Sequence, residues 1–599
     1  MSRSRHREQL YRKDSRREHD GDRFDERERG AFLKKWTGRL PVALLYPNTY
    51  RVGMSSLGLQ LVYRLLNDDD RIVCERFFLP EASHPLVSVE SGRPLDNFPL
   101  VFFSVSFEHD YVNLPGMLIA AGIEPLAQKR GERVSAGAPL LVCGGVATFM
   151  NPEPLAPFID LFAIGEAEAL LPHLLAVLTR TDSGRHELCQ ELNTRYPGFY
   201  APRLYQPQFD EDRHQSGLIP DPGLPQRVRR AYLETTSQAG HSELLTSQTE
   251  FAELFLTELG RGCSRGCRFC TAGFIYRPPR LWESGAVLAS LRQRPEGVSR
   301  IGLVGMEMTD AETLDAVAAC VSELGCSLSF SSLRADRISD RLVELLGASN
   351  LKSVAIAPDG GSQRLRSVIN KGLDDAHLIG AAERLAAAGL TRLKLYVMIG
   401  LPSETEDDLQ EFVGLLDRIR AAIEPIGRRR KRLCELTVSV NCFVPKPWTP
   451  FQYHPFGSSE QLAAEQTIAG RQAVTLLRGR MMLLKRAVAE RPNIRITFDT
   501  PEQALGQAVL ARGDRRLAQV LLSMATSGIS MKQAMKEQSL DERLFATRQY
   551  GPDSFLPWQC LDHGIADSYL WREYQRAFLA RPTAPCEPTR CRRCGVCHD

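Results

Sequence analysis

No run of about twenty apolar residues occurs in the 599-residue chain, so a membrane-spanning helix is not expected. The N-terminus is charged rather than apolar, which argues against a secretory leader. An excess of one charge sign is also missing. Lys and Arg number 75 against 72 Asp and Glu, a formal net charge of +3, and this gives no reason to expect a bulk polyanion as partner. Without export signals, the fifteen cysteines read as thiols and metal ligands of a cytoplasmic protein rather than as disulfides. Apolar and charged fractions of 43% and 25% are ordinary for a globular protein, and the length suits two to four domains.

What is present is concentrated in one stretch, Gly262-Cys263-Ser-Arg-Gly-Cys267-Arg-Phe-Cys270. An apolar run over 251–259 leads into it and reads as a buried strand, so the cysteines sit on a glycine-rich loop at a strand end. Three thiolates on such a loop can hold three irons of a [4Fe–4S] cube. Tetrahedral zinc would want a fourth ligand, and no Cys or His stands close by in sequence. The fourth iron is then open to a co-substrate. A second thiol group lies at Cys586, Cys591, Cys594 and Cys597, four cysteines in twelve residues. Four thiolates suit a [4Fe–4S] cluster or a zinc ion, and the tight spacing leans towards iron. Such a tail is expected to be mobile without its metal.

The chain between these landmarks is α/β. Residues 1–38 are a charged segment too poor in apolar residues to fold alone. Over 39–180, strands alternate with helices, the pattern of a Rossmann-like, doubly wound parallel sheet. Polar residues and glycines sit at its strand ends, where ligands bind in such sheets: Asn48, Gly53, Ser104, Ser106, Gly144, Gly145, Gly165 and Glu166. Residues 181–250 read as a proline-marked linker without chemistry. Alternation resumes over 251–455 as a partial (β/α)6 barrel, its site at the C-terminal strand ends. Residues 456–580 carry helical spacing, and 581–599 form the cysteine-rich tail.

The cysteine loop, with the aromatic Phe269 before its third cysteine, resembles the signature of the radical S-adenosylmethionine (SAM) superfamily. The resemblance implies that SAM chelates the open iron through its amino and carboxylate groups. One-electron reduction then cleaves it to a 5′-deoxyadenosyl radical. It implies roles for Gly305, Met306 and Glu307 at the SAM amino group. The hydroxyl and carboxylate groups of the segment from Ser331 through Arg334 to Asp336 suit either contacts to ribose hydroxyls or ordinary loop capping. Asp359 stands where relatives often carry a Glu before Gly-Ser, and Gly400 and Pro402 lie in a turn that packs on adenine. The 39–180 segment resembles the cobalamin-binding domain fused to such barrels. Ser104-Val-Ser106, Gly144-Gly145 and Gly165-Glu166 match its loops. Its Asp-x-His-x-x-Gly motif is absent; Pro47-Asn48-Thr-Tyr-Arg-Val-Gly53 stands in its place, so bound cobalamin would lack a histidine ligand.

Further landmarks are Asn151-Pro-Glu153, Asn370-Lys-Gly372, Val444-Pro-Lys446-Pro447 and Arg572-Glu573-Tyr574. The cofactors implied are a [4Fe–4S] cluster, SAM, cobalamin, and a second cluster or zinc in the tail. An electron donor such as flavodoxin or ferredoxin is implied, and no membrane. The reaction expected is methylation of an unactivated carbon, with rearrangement, cyclisation or sulfur insertion as the second enzymatic reading. The substrate class (small molecule, RNA or protein) stays open. An RNA- or ribosome-associated protein is the reading from another class. It would use the basic run Arg428-Arg-Arg-Lys-Arg432 and Arg590, Arg592 and Arg593, and steep salt dependence of RNA binding would mark it.

Overall fold

The computed structural model describes residues 28–597 except 82–83, 181–182, 306, 308–309, 331 and 350. The expectations for residues 1–27, Met306 and Ser331 lie outside the described residues.

The first unit is a six-stranded sheet: β1 (Leu40–Tyr46), β2 (Ile72–Phe78), β3 (Leu100–Ser104), β4 (Leu140–Gly144), β5 (Leu161–Ala163) and β6 (Phe199–Tyr200). Its order is β2-β1-β3-β4-β5-β6. The first five strands are parallel and β6 is an antiparallel edge. Val42 pairs with Leu100 and Phe102 with Val142, so the apolar runs of three strands stack in register. Strands buried on both faces carry such unbroken runs because helices cover each side. The chain reverses its winding between β1 and β3, and there the C-terminal strand ends open a crevice. Helix α1 (Leu57–Asp68) starts at that crevice, capped by Ser56, whose hydroxyl accepts from Leu59 N.

The second unit has two parallel sheets in succession, first β7 (Leu254–Glu258), β8 (Arg300–Val304) and β9 (Ser327–Phe330), then β10 (Ser332–Leu333), β11 (Ser353–Asp359), β12 (Arg392–Ile399) and β13 (Glu435–Cys442). β12 and β13 alternate buried and half-buried residues, whereas β7 and β8 are buried along most of their length. One strand more than expected follows. β14 (Ile494–Phe498) pairs in parallel with β13 from Leu436↔Ile494 to Val440↔Phe498. It lies inside the stretch read as helical. Ile-Arg-Ile-Thr-Phe alternates with period two, but five residues between two longer helical patterns are easily absorbed by them.

The region after β14 clamps both units together. Asn151 donates to the Ala511 and Gly513 carbonyls, and Arg515 pairs with buried Glu153 at 2.9 Å. The stretch read as a linker is also structural. Its Val228–Arg229 pairs with Leu561–Asp562, and Arg230 reaches towards Glu166. One hydrophobic core runs through all these parts, with a smaller cluster around Trp282, Ile301 and Val317. The basic run ends the helix Glu406–Arg429, where cations complement the negative end of the helix dipole; Arg428 pairs with Glu424 and Arg430 donates to the Ala386 and Ala387 carbonyls. No described helix is long and apolar enough to cross a membrane.

Candidate active site

The cysteine loop leaves β7 through Gly262, whose φ of +86° is left-handed. A Cβ there would stand 2.7 Å from the Tyr276 carbonyl oxygen, so glycine is required by the backbone itself. Four contacts then fix the loop. Glu307 accepts from Ser264 N at 2.8 Å and from Ser264 Oγ at 2.6 Å. Asn370 Nδ2 donates to the Gly266 carbonyl at 3.0 Å. Arg268 N donates to the Ile369 carbonyl at 2.9 Å. The fully buried Arg268 guanidinium donates to Glu573 and to the Ser367, Val368 and Arg581 carbonyls. Cys267 is buried, and Cys263 and Cys270 are half-buried. Burial raises all three thiols, Cys270 to about 12. Thiols so disposed stay protonated until a metal displaces the proton.

A cavity of about 710 Å³ opens beside Cys270 at the C-terminal ends of the barrel strands. Phe269, Cys270 and Asp359 line it, as do Asn441 and Lys446, and also Tyr396, Asp499 and Gln507, which the sequence did not single out. Asp359 sits at a β-bulge in β11 with φ +59° and pairs with Lys371 at 2.5 Å. The bulge turns the carboxylate out of the strand repeat. Lys446 pairs with buried Glu108 of the first unit, which also accepts from Gln507 at 3.0 Å. The proline-flanked lysine was the available signal, but its partner lies 338 residues away.

Other expected residues are placed elsewhere. Arg334 does not line the cavity. It pairs with Asp336 at 2.7 Å and donates to the Lys371 carbonyl, holding the Asn370–Gly372 turn. Gly305 borders the cavity of the first unit instead, while Glu307 serves the cysteine loop. Gly400 and Pro402 are buried: a Cβ on Gly400 would meet Leu477 at 2.7 Å. Glu404 folds back to accept from Gly400 N at 3.0 Å and pairs with Arg480 at 3.0 Å. Burial raises Glu404 to about 7 despite Arg480. A carboxyl raised on folding adds stability below its unfolded value near 4.5 and loses it as pH climbs through 7. Glu404→Gln should therefore flatten the fall in unfolding free energy between pH 4.5 and 7, a span worth about 3 kcal/mol. Denaturant titrations across that range check it.

In the first unit, a cavity of about 440 Å³ lies over the C-terminal ends of β1 and β3–β5. Ser104, Ser106, Gly144, Gly145, Gly165 and Glu166 all line it, with Ser56, Leu57 and Gly58 at the start of α1. Their glycines differ in purpose. At Gly145 and Gly165 a Cβ would strike the Val105 and Ala231 backbones at 2.3 and 2.0 Å. At Gly58 and Gly144 the nearest atoms stand 3.8 and 3.5 Å away, so their missing side chains keep the cavity open. Asn48 and Gly53 are not on its wall. Asn48 donates to Asp110 at 2.8 Å, and Gly53 packs where a Cβ would be 2.4 Å from the Phe78 ring. His241, from the stretch read as a linker, is on the wall and stacks on Phe255.

Gly260, Arg261, Val304 and Gly305 of the barrel close the far side of this cavity. Charges lock that seam. Arg261 bonds Glu166 at 3.1 Å, Glu168 at 2.8 Å and Glu258 at 3.1 Å, and Arg280 also pairs with Glu166. Burial alone would raise Glu166; the Arg280 hydrogen bonds and the Arg261 charge hold it below the usual carboxylate range. Val146 and Tyr276 line both cavities, so the two spaces meet across these side chains.

The tail is docked rather than loose. Cys586 and Cys594 are 7% and 3% exposed. Cys586 N donates to the Ser264 carbonyl at 2.6 Å, Thr583 N to Asn370 Oδ1 at 2.8 Å, and Ala566 N to the Cys594 carbonyl at 2.9 Å. Arg593 Nε donates to Cys591 Sγ at 3.3 Å. Among the described residues, neither cysteine group converges on a point that one lone ion would occupy.

Comparison with known proteins gives two family matches. Residues 58–202 match "Radical SAM proteins, N-terminal" and residues 257–416 match "Radical SAM superfamily". The chain is 25% identical over 503 residues to an uncharacterized protein of Methanocaldococcus jannaschii, covering 83% of this chain and 94% of that one. Among solved structures, it is similar to the radical SAM methyltransferase TsrM from Kitasatospora setae with tryptophan and a SAM analogue bound. There the identity is 12%, the coverage 83% and 99%, and the TM-score 0.48. It is also similar to the cobalamin-dependent SAM radical enzyme OxsB with aqua-cobalamin bound, at 15% identity and TM-score 0.42. That match covers 63% of this chain, which spans about half, 52%, of OxsB.

Proposed function

The chain is a radical SAM enzyme, and from that premise we propose that it is a cobalamin-dependent methylase acting on an unactivated carbon. Cys263, Cys267 and Cys270 would hold a [4Fe–4S] cluster, which would supply the site for SAM. When bound, these cofactors supply a 5′-deoxyadenosyl radical, and methylcobalamin supplies the methyl group. The chain's own residues position and shield. Ser264 and Glu307 hold the loop's first turn, and Asn370 its middle. Phe269, Tyr396 and Met398 give the barrel cavity apolar walls, and Asp359, Asn441 and Lys446 give it polar contacts for a substrate.

The observation that carries the cobalamin reading is the first-unit cavity and its connection. Leu44, Phe102, Val142, Leu170 and Leu174 make its wall apolar, which suits a flat heteroaromatic tail. The N-terminus of α1 at its rim suits a phosphate. Gly58 and Gly144 leave the space that side chains would fill. The cavity then meets the barrel cavity at Val146 and Tyr276, which is where a group handed from one cofactor to a substrate must pass.

Gly144→Leu should fill that space without straining the backbone. It is expected to lower retention of hydroxocobalamin at least about tenfold, a loss of about 1.4 kcal/mol of binding. Iron content should stay at the wild-type value. Cobalt and iron analysis after anaerobic reconstitution reads both. Wild-type protein that takes up iron but no corrinoid would remove the methylase reading and leave a radical SAM rearrangement, cyclisation or sulfur insertion in its place.

A further inference from the structure

We propose that Cys586, Cys591, Cys594 and Cys597 hold a second [4Fe–4S] cluster that serves as the electron port of the cysteine loop at Cys263. Three observations support this. The run Cys591-x2-Cys594-x2-Cys597 has the spacing of ferredoxin cluster loops, in which successive thiolates reach successive irons. The tail is also joined to the catalytic loop directly: Cys586 N donates to the Ser264 carbonyl at 2.6 Å, and Ser264 is bonded to Cys263. A continuous path of one hydrogen bond, the Cys263–Ser264 backbone and two cysteine side chains thus links one thiol group to the other. Finally, the sulfurs are met by buried or anchored cations. Arg593 Nε donates to Cys591 Sγ at 3.3 Å, and its guanidinium is held by the Ala584 and Pro585 carbonyls. Arg277 lies close to Cys594 and donates from Nε to the Gly273 carbonyl, on the helix just after Cys270.

A cube with four thiolates carries net negative charge, and each added electron makes it more negative. N–H donors and cations at the sulfurs favour the reduced form, so they tune such a cluster to accept an electron. The step is one electron from a low-potential one-electron carrier, such as a reduced flavodoxin or ferredoxin, taking the tail cube from 2+ to 1+. No bond forms or breaks and no proton moves. The electron then leaves for the loop and the tail returns to 2+. This role rests on the radical SAM reading; the metal identity does not.

The test uses the full chain bearing Cys263→Ala, Cys267→Ala and Cys270→Ala together, reconstituted anaerobically with iron, sulfide and zinc present. The tail alone should then bind about four irons, with a paramagnetic signal on dithionite reduction. Zinc instead of iron in that variant, or no metal at all, would overturn the assignment without touching the loop's chemistry. A second variant, Cys594→Ser with Cys597→Ser, should lose about half of the wild-type iron and keep the loop's share. In it, the ratio of flavodoxin-driven to dithionite-driven SAM cleavage should fall at least about tenfold, a change of about 1.4 kcal/mol in barrier. Unchanged iron would refute the cluster, and an unchanged ratio would refute the port. Wild-type SAM cleavage with dithionite tests the radical SAM reading separately.

Discussion

Cys263→Ala should abolish cluster assembly on the loop and bring reductive SAM cleavage down to background. The loop offers three thiolates and no more, so each one removed leaves an iron without protein ligand. Glu307, whose charge reaches Cys263, is already engaged by the amide and hydroxyl of Ser264. The protein itself should stay folded, since the side chain lost is small and half-buried. Circular dichroism should match wild type while iron falls by about four per chain. Full iron content with undiminished SAM cleavage would exclude the loop as the cluster site.

Arg268→Met should cost about 3 kcal/mol of stability, because it leaves the buried Glu573 carboxylate with only the partly exposed Arg576 as cation. That is a large share of the roughly 5–15 kcal/mol that holds a domain folded. Arg268 also caps the Ser367 and Val368 carbonyls, so those lose a donor as well. Cluster occupancy should fall with stability, since Arg268 lies between Cys267 and Cys270. The double variant Arg268→Met with Glu573→Leu separates the causes. Removing both charges should recover much of the denaturant midpoint, as apolar pairs often replace buried ion pairs without loss. A single variant with an unchanged midpoint would show that the pair is not coupled to folding.

How much of this was legible beforehand depended on sequence distance. The cysteine loop, the parallel sheets and the glycines over the first cavity follow from local patterns, and the structure has them at strand ends. Asn151, Asn370, Lys446 and Glu573 stood out as residues without a stated task. Their tasks turn out to be contacts with residues 511–513, 583, 108 and 268. No local periodicity encodes a partner hundreds of residues away. Gly400 is a different case. The turn that reads as a cofactor contact is buried against Leu477 and bonded by Glu404. β14 was missed because its five residues alternate too briefly to outweigh the helices around it.

The dependence of the cysteine loop on Glu573, Arg581, Thr583 and Cys586 has a consequence for how the protein is made. A ribosome delivers the loop first and these supports some three hundred residues later, roughly 15–60 seconds at ordinary elongation rates. During that interval Arg268 has no carboxylate partner and Asn370 no Thr583. The nascent barrel therefore carries its thiols in an unbraced loop, exposed to oxidation and to stray metal. Iron loaded before the chain is finished would meet a loop that still lacks these braces.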